Sequence, residues 1–182
     1  MFILASASPR RKELLRKLID SFEIIVPNID ERAIDGSFSP SDLAKEESRL
    51  KAYAILSFHP NDEILACDTI VVLEGKILEK PKNRAEAVRM LSFESDKRQI
   101  VLSGYTYVGK GREISRTVST EVYFNNLSKE QIERYVDLFR PFDKAGSYGI
   151  QDDYPLIKKI VGSYDNVMGL PTEDIKKHVF NR

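Results

Sequence analysis

The sequence has one cysteine, two histidines and no long apolar run, and each scarcity excludes a class of protein. The lone Cys67 allows neither an internal disulfide nor a multi-cysteine zinc site, which favours a reducing compartment, most simply the cytoplasm. No apolar stretch reaches the ~18 residues of a membrane span, because Asp68 interrupts the longest stretch, residues 64–73. The short apolar start precedes its basic residues, whereas a secretory signal has the opposite order.

An excess of one charge is also lacking, since 28 Lys and Arg residues balance 28 Asp and Glu residues. Affinity for a nucleic-acid backbone requires a basic excess or a basic face, so neither a nucleic-acid nor a membrane partner is expected. The phosphate-binding GxxxxGK[ST] and GxGxxG motifs and the hydrolase motifs HExxH and GxSxG are absent. The length of 182 residues suits a single domain, residues 1–182, with its own core.

Capping signals and apolar runs predict helices that alternate with strands. Strands are predicted at residues 2–5, 22–26, 64–73, 76–78, 99–108, 115–124 and 156–161. Helices are predicted after Ser8 to about 18, after Ser39 to 56, after Asn83 to 91, after Ser128 to 139, and from Pro171 onward. This alternation, with hairpins, predicts an α/β fold whose sheet is mixed.

The first predicted helix breaks a local rule. Arg10, Arg11 and Lys12 occupy its first turn, where the helix dipole disfavours positive charge. The same place is a ready anion site, because backbone N–H groups and the hydroxyls of Ser6 and Ser8 lie beside the arginines. The pattern therefore favours a phosphate cradle, and the alternative is a solvated basic patch.

Asp68 breaks a second rule, since it interrupts a strand that is otherwise apolar. A carboxylate near a buried environment needs a partner, which could be a metal, a cation or a proton in catalysis. The alternatives are an edge strand with Asp68 in solvent, or a structural pairing with a lysine. Lys51, Lys80 and the pair at residues 30–31 are weak signals when each is read alone.

Several short motifs occur in a fixed order and together resemble the signature of the Maf family of nucleoside triphosphate pyrophosphatases. The motifs are ASASPRR (5–11), KA (51–52), DT (68–69), KP (80–81), SG (103–104), KAGSYGIQ (144–151) and GSYDNVMGLP (162–171). Each fragment is weak, but the ordered set covers nearly the whole chain. One departure is that Gln99 stands where the family usually has the histidine of a Gly-x-x-His sequence.

The resemblance implies both a fold and a reaction. The fold is a mixed, elongated central sheet flanked by helices, in two lobes with a cleft between them. The reaction is hydrolysis of a nucleoside triphosphate to the monophosphate and pyrophosphate, with Mg²⁺ or Mn²⁺ as the divalent metal. The sequence of residues 144–151 is similar to the branch that acts on dTTP and UTP. A homodimer and a link to cell-division arrest are further family expectations.

The resemblance and the local patterns together imply roles for individual residues. The triphosphate would be held by Ser6, Arg10, Arg11, Lys51 and Lys80. Glu31 and Asp68 would hold the metal, and Asp68 would also orient or deprotonate the attacking water. Base selection would fall to Arg10, Thr69 and Gln151, with the ring of Tyr148 able to stack on the base.

Other functions stay open at this point. A non-catalytic, nucleotide-sensing regulator of septum formation could keep the phosphate cradle without needing Asp68. A phosphomonoesterase would release orthophosphate rather than pyrophosphate. The physiological substrate could also be a modified pyrimidine nucleotide, with cleansing of the nucleotide pool as the purpose.

Overall fold

Seven strands form one open, mixed sheet in the part of the chain that this computed structural model describes, residues 1–29 and 38–180. The strands are β1 (Phe2–Ala5), β2 (Glu23–Ile24), β3 (Glu63–Leu73), β4 (Lys76–Leu78), β5 (Arg98–Gly109), β6 (Arg112–Phe124) and β7 (Ile157–Val161). Their order is β2-β1-β3-β5-β6-β7, with β4 paired to β3. The strands β2 and β3 run parallel to β1, whereas β4 is antiparallel to β3 and β7 to β6, which confirms the predicted mixed sheet.

Six α-helices flank the sheet over the same residues. They are α1 (Pro9–Arg16), α2 (Pro40–Leu56), α3 (Arg84–Glu94), α4 (Lys129–Phe139), α5 (Tyr164–Met168) and α6 (Thr172–Ile175). None of these helices is long and apolar enough to cross a membrane. The sequence did not predict α5, because five residues are too few to display a helical period.

The predicted caps are confirmed, with one difference from the reciprocal capping box that the sequence Asn83-x-x-Glu86 predicts. Ser8, Ser39 and Ser128 each accept a hydrogen bond from the backbone of the first helical turn. At α3 the Asn83 side chain accepts from the Glu86 amide at 2.9 Å, but the Glu86 carboxylate accepts from the backbone of residue 82 instead of returning to Asn83. The same helix ends at Glu94, almost one turn beyond the predicted end.

The chain divides into two compact units. The first consists of Met1–Thr69, Leu102–Val118 and Asp165–Arg182, and the second of Ile70–Val101 and Ser119–Tyr164. The first unit contains two buried apolar clusters, built on β1 and β3 with α1, α2 and the last helices. The core of the second unit includes Leu91, Val122, Phe124, Ile132, Tyr135, Val136 and Leu156.

A glycine allows helix α2 to lie close to strand β5 within the first unit. A Cβ atom at Gly104 would lie 2.2 Å from the carbonyl carbon of Ala44, so no other residue fits without moving backbone. Four residues after Ala44, the buried Ser48 bonds the Thr106 hydroxyl at 2.8 Å. These contacts fix the helix that carries Lys51 against the sheet.

Candidate active site

The predicted phosphate cradle lies where β1 ends and α1 begins. Ser6 follows β1 directly and is only 6% exposed. The Ser8 hydroxyl caps the helix by accepting from the Arg11 amide at 3.4 Å. The first turn contains no acidic residue to neutralise its two arginines, Arg10 and Arg11. This end of α1 therefore carries a local excess of positive charge, as an anion site requires.

The guanidinium of Arg11 is held in one orientation by three contacts. Its Nε donates to the Gly169 carbonyl at 2.8 Å, one Nη donates to Thr69 Oγ1 at 3.1 Å, and the other donates to Ser6 Oγ at 3.4 Å. Ser6 follows β1, Thr69 lies on β3 and Gly169 follows α5. The orientation of the Arg11 guanidinium therefore depends on tertiary structure. Arg10, one residue earlier in the same turn, is half-buried.

Thr69 acts in this arrangement as a support for Arg11. Its hydroxyl shares a 2.9 Å hydrogen bond with Ser103 Oγ, which in turn donates to the Asn166 carbonyl at 3.1 Å. Ser103 is fully buried. The sequence predicted base selection for Thr69 and no role for Ser103 beyond its place in a motif. The hydroxyl chain links Arg11 to strand β5.

Asp68 has the cationic partner that its position in an apolar strand requires. Lys51 Nζ lies 2.5 Å from Asp68 Oδ1, and the two side chains are only 11% and 16% exposed. Burial opposes ionisation of Asp68, but the charges of Lys51 and Arg11 and hydrogen bonds outweigh it, so its pKa lies below the usual range. Asp68 is therefore an ionised carboxylate at neutral pH, with Oδ1 bound to Lys51.

Glu47 joins this site, although it was not predicted from the sequence. It precedes Lys51 by one helical turn, and its side chain is hydrogen-bonded to the Asp68 carboxyl. The four-residue spacing on α2 was the signal that could have revealed it. Two adjoining carboxyl groups form the hard-oxygen donor set that suits Mg²⁺ or Mn²⁺.

The other predicted metal ligand, Glu31, lies outside the described residues. Over residues 1–29 and 38–180, no group of three or more His, Cys, Asp or Glu side chains is arranged to hold a metal ion. The described part of the site thus offers the pair Glu47 and Asp68, to which further oxygen ligands would have to be added.

Lys80 and Gln151, the remaining predicted site residues, belong to the second unit and both have exposed side chains. Gln151 closes the segment 144–151, which is held in place by Tyr135. The Tyr135 hydroxyl accepts from the Gly149 amide at 2.9 Å and donates to Asp152 Oδ2 at 2.6 Å. The backbone next to Gln151 is therefore fixed by hydrogen bonds, as a side chain that recognises a base requires.

Tyr148 does not take the position that the sequence suggested. Its side chain is buried, with 5% of the residue exposed, and its ring packs edge-on against Phe124 at 5.1 Å between centroids. The expectation that this ring could stack on a base is therefore wrong. The ring packs instead in the core of the second unit.

Residues 1–181 match the family model described as Maf-like protein. A relative from Pyrococcus abyssi named dTTP/UTP pyrophosphatase is 45% identical over 94% of this chain and 90% of its own length. Relatives with the same name from Symbiobacterium thermophilum and Thermosipho africanus are 45% and 44% identical, and cover 93% and 99% of this chain and 87% and 92% of their own lengths.

The fold also has a distant counterpart among solved structures. The Ham1 protein of Staphylococcus aureus superposes with a TM-score of 0.51 over 86% of this chain and 79% of that chain. Its sequence identity is 13%, so the likeness concerns the fold alone.

Proposed function

Since this chain belongs to the Maf family, we propose that it hydrolyses dTTP and UTP to the nucleoside monophosphate and pyrophosphate. The observation that carries this proposal is the oriented Arg11 beside the Lys51–Asp68 pair, all within the first unit. A fixed guanidinium binds phosphate oxygens, and an ionised carboxylate orients water or a metal ion. Names of close relatives support dTTP and UTP as substrates.

Phosphate binding would rest on the start of α1. The positive end of the α1 dipole and the guanidinium of Arg11 would neutralise the triphosphate, with Ser6 donating a hydrogen bond. Arg10 and Lys80 would add positive charge. Pyrophosphate is a highly charged leaving group, so most of the catalysis would come from charge neutralisation and positioning.

A divalent cation, Mg²⁺ or Mn²⁺, would be held by Asp68 and Glu47, and Glu31 is a further candidate outside the described residues. When bound, it would supply charge neutralisation at the reacting phosphate. The fit rests on the carboxyl oxygens of Glu47 and Asp68, which are in contact beside Lys51 and are the donor type that these ions take.

Hydrolysis would proceed by attack of water on the α-phosphorus. The new bond joins the water oxygen to phosphorus, and the bond to the bridging oxygen breaks, so that pyrophosphate leaves with the electron pair while the proton of the water passes through Asp68 to the solvent. Asp68 would accept a hydrogen bond from the attacking water and orient it. Because the pKa of Asp68 is below its usual range, its carboxylate is ready in the acceptor form at neutral pH.

Base choice would belong to Gln151. Uracil and thymine present an acceptor, donor, acceptor edge, and one carboxamide pairs with an acceptor and the N3–H together. Lysine or a carboxylate lacks one of the two functions. The exposed position of Gln151 at the end of a braced segment supports this role.

The reaction is tested by mixing the protein with Mg²⁺ and UTP or dTTP and measuring both pyrophosphate and orthophosphate. Release of pyrophosphate with the monophosphate supports the proposal. Release of orthophosphate would instead indicate a phosphomonoesterase. Binding of UTP without any turnover would favour the nucleotide-sensing regulator, and would remove hydrolysis from the proposal.

The cellular setting follows from the substrate. We place the activity in the cytoplasm, where the nucleotide pool lies, and expect it to limit dTTP and UTP or to remove modified pyrimidine nucleotides. A homodimer and a part in cell-division arrest rest on the resemblance alone. Sedimentation of the purified chain tests the first expectation.

A further inference from the structure

Three polar side chains lie together in the core of the second unit, where apolar side chains are the rule. Glu94, Gln99 and Tyr148 are 0%, 1% and 5% exposed. Gln99 Nε2 donates to Glu94 Oε1 at 3.2 Å. Among the described residues, Glu94 Oε2, Gln99 Oε1 and the Tyr148 hydroxyl have no hydrogen-bond partner. Burying polar atoms without hydrogen-bond partners lowers stability, so we expect this cluster to have a role in addition to packing.

The cluster lies against the short turn Ala145–Ser147. Gly146 has a φ of +73°, and a Cβ there would lie 2.9 Å from Glu94 Oε1 and 3.3 Å from Tyr148 Cε1. One turn earlier on α3, Met90 Sδ accepts from the Ser147 hydroxyl at 3.1 Å. The end of α3 therefore packs against this turn, and a Cβ at position 146 would press on the Glu94 carboxyl and be strained at this φ.

The same turn connects the two site residues of the second unit. The Gly146 amide donates to the Glu79 carbonyl at 3.3 Å, and Glu79 directly precedes Lys80. In the other direction, the chain runs from Gly146 through the braced segment to Gln151. Any displacement of Gly146 would therefore move the backbone that carries Lys80 and the backbone that carries Gln151.

We propose that Glu94 is a positioning residue for substrate binding, whose carboxyl, bonded to Gln99, holds Gly146 and so sets where Lys80 and Gln151 lie. The inference rests on the proposed function, in which Lys80 binds phosphate and Gln151 reads the base. Burial raises the pKa of Glu94 well above its usual range, so the group acts as a neutral hydrogen-bonding acid.

The pair also accounts for the departure from the family signature. Gln99 stands where the family usually has histidine, and its amide donates a hydrogen bond to the Glu94 carboxyl. A neutral amide serves a neutral acid without adding charge to the core. The Glu94–Gln99 pair that supports the turn therefore depends on Gln99, a residue that differs from the family's usual histidine.

The test compares the parent with Glu94→Leu, Glu94→Gln and the control Leu91→Val. Leu91 is a fully buried residue of the same helix, one turn before Glu94. Turnover of UTP, dTTP and ATP is measured together with equilibrium affinity for the α,β-methylene analogue of UTP, which cannot be cleaved at the reacting bond. All measurements are made well below the Tm of the least stable variant.

Glu94→Leu is expected to raise KM and weaken analogue binding about tenfold, because Lys80 and Gln151 would no longer lie where they bind the substrate. Glu94→Gln keeps a neutral hydrogen-bonding group and is expected to rescue both values. Leu91→Val is expected to lower Tm and leave KM at the parent value. A parent-like KM and analogue affinity in Glu94→Leu would overturn the proposal. If Glu94→Leu does not fold, Gln99→Leu replaces it with the same expected outcomes.

A double-mutant cycle with Gln151→Ala separates positioning from general loosening. If Glu94 acts through Gln151, Glu94→Leu lowers the preference for UTP over ATP in the parent but not in the Gln151→Ala background. If Glu94→Leu lowers the preference for UTP over ATP equally in both backgrounds, Glu94 does not act through Gln151. Should the parent release no pyrophosphate, the proposed function fails, whereas the analogue affinities still decide the role of Glu94.

Discussion

Lys51 on helix α2 and Asp68 on strand β3 form a largely buried ion pair with 2.5 Å between Nζ and Oδ1, although they are 17 positions apart in the sequence. The pair gives Asp68 the partner that an acid in an apolar strand requires, and it draws Lys51 away from a purely phosphate-binding role. The sequence left structural pairing with a lysine as an alternative to catalysis. The neighbouring Glu47 and Arg11 make the pair part of a charged site.

Asp68→Asn removes the charge but keeps the shape of the side chain. We expect kcat/KM for UTP to fall by roughly two or more orders of magnitude, because general-base and metal effects are each of about that size. The matched control is Asp62→Asn, which alters a surface ion pair with the N-terminal amine. A near-parent rate in Asp68→Asn would mean that another residue orients the water.

Glu47→Gln tests the proposed metal site without relying on turnover. We expect Mn²⁺ affinity, measured by electron paramagnetic resonance, to fall about tenfold or more when one carboxylate near the ion is lost. Glu46→Gln is the control, since Glu46 is the preceding residue on α2 and pairs with Arg49 at 3.9 Å. Full activity of the parent in EDTA, or unchanged Mn²⁺ affinity in Glu47→Gln, would contradict this placement of the metal.

Arg11→Lys tests the oriented guanidinium. Lysine keeps the charge but cannot satisfy Gly169, Thr69 and Ser6 together, so we expect KM for UTP to rise about tenfold. Because lysine keeps the positive charge, salt screens the parent and the variant alike, and the defect should change little with salt concentration. Arg16→Lys, at the other end of α1, is expected to match the parent. If Arg11→Lys and Arg16→Lys have the same KM for UTP, the basic residues at the start of α1 are a surface patch and not a phosphate-binding site.

Gln151→Ala tests base reading. We expect a loss of roughly 1–3 kcal/mol in kcat/KM for UTP and dTTP, the cost of a hydrogen-bonded edge left unmet, and a smaller loss for ATP and GTP. Asp153→Ala, an exposed neighbour in the same loop, is the control. Equal losses for all four nucleotides would show that Gln151 supports the loop, and base selection would then fall to Arg10 or the backbone.

Glu94 makes the free energy of unfolding depend on pH. Burial raises its pKa in the folded state above the unfolded value of about 4.3, so the folded protein binds more protons between the two values. Stability from this group is complete below pH 4.3 or so and is lost as pH rises toward the folded pKa. Glu94→Gln removes that dependence.

The stability of Glu94→Gln relative to the parent should therefore rise by about 1.4 kcal/mol for each pH unit within that window. Urea unfolding of both proteins at several pH values measures the difference. A difference that stays constant with pH would mean that Glu94 is ionised in the folded state.

Local sequence determined much of the architecture because its signals are short-range. Serine caps and apolar runs predicted α2 and α4 almost to the residue, and the mixed sheet followed from the alternation of elements with hairpins. The order of the motifs likewise identified the family and pointed to Arg11, Asp68 and Gln151. Glu31, part of the same prediction, lies outside the described residues.

Tertiary structure alone decided which groups meet, since contacts between distant segments leave no local pattern. The Arg11 guanidinium is oriented by a carbonyl 158 positions away, and Glu47 becomes a neighbour of Asp68 only when α2 packs on β3. The Tyr148 ring turned inward because an aromatic side chain is more stable in a core than in water. Glu94 lies in the same core because α3 extends past its predicted end. Burial there raises the pKa of the Glu94 carboxyl, so that it is neutral although glutamate is usually an ionised surface residue.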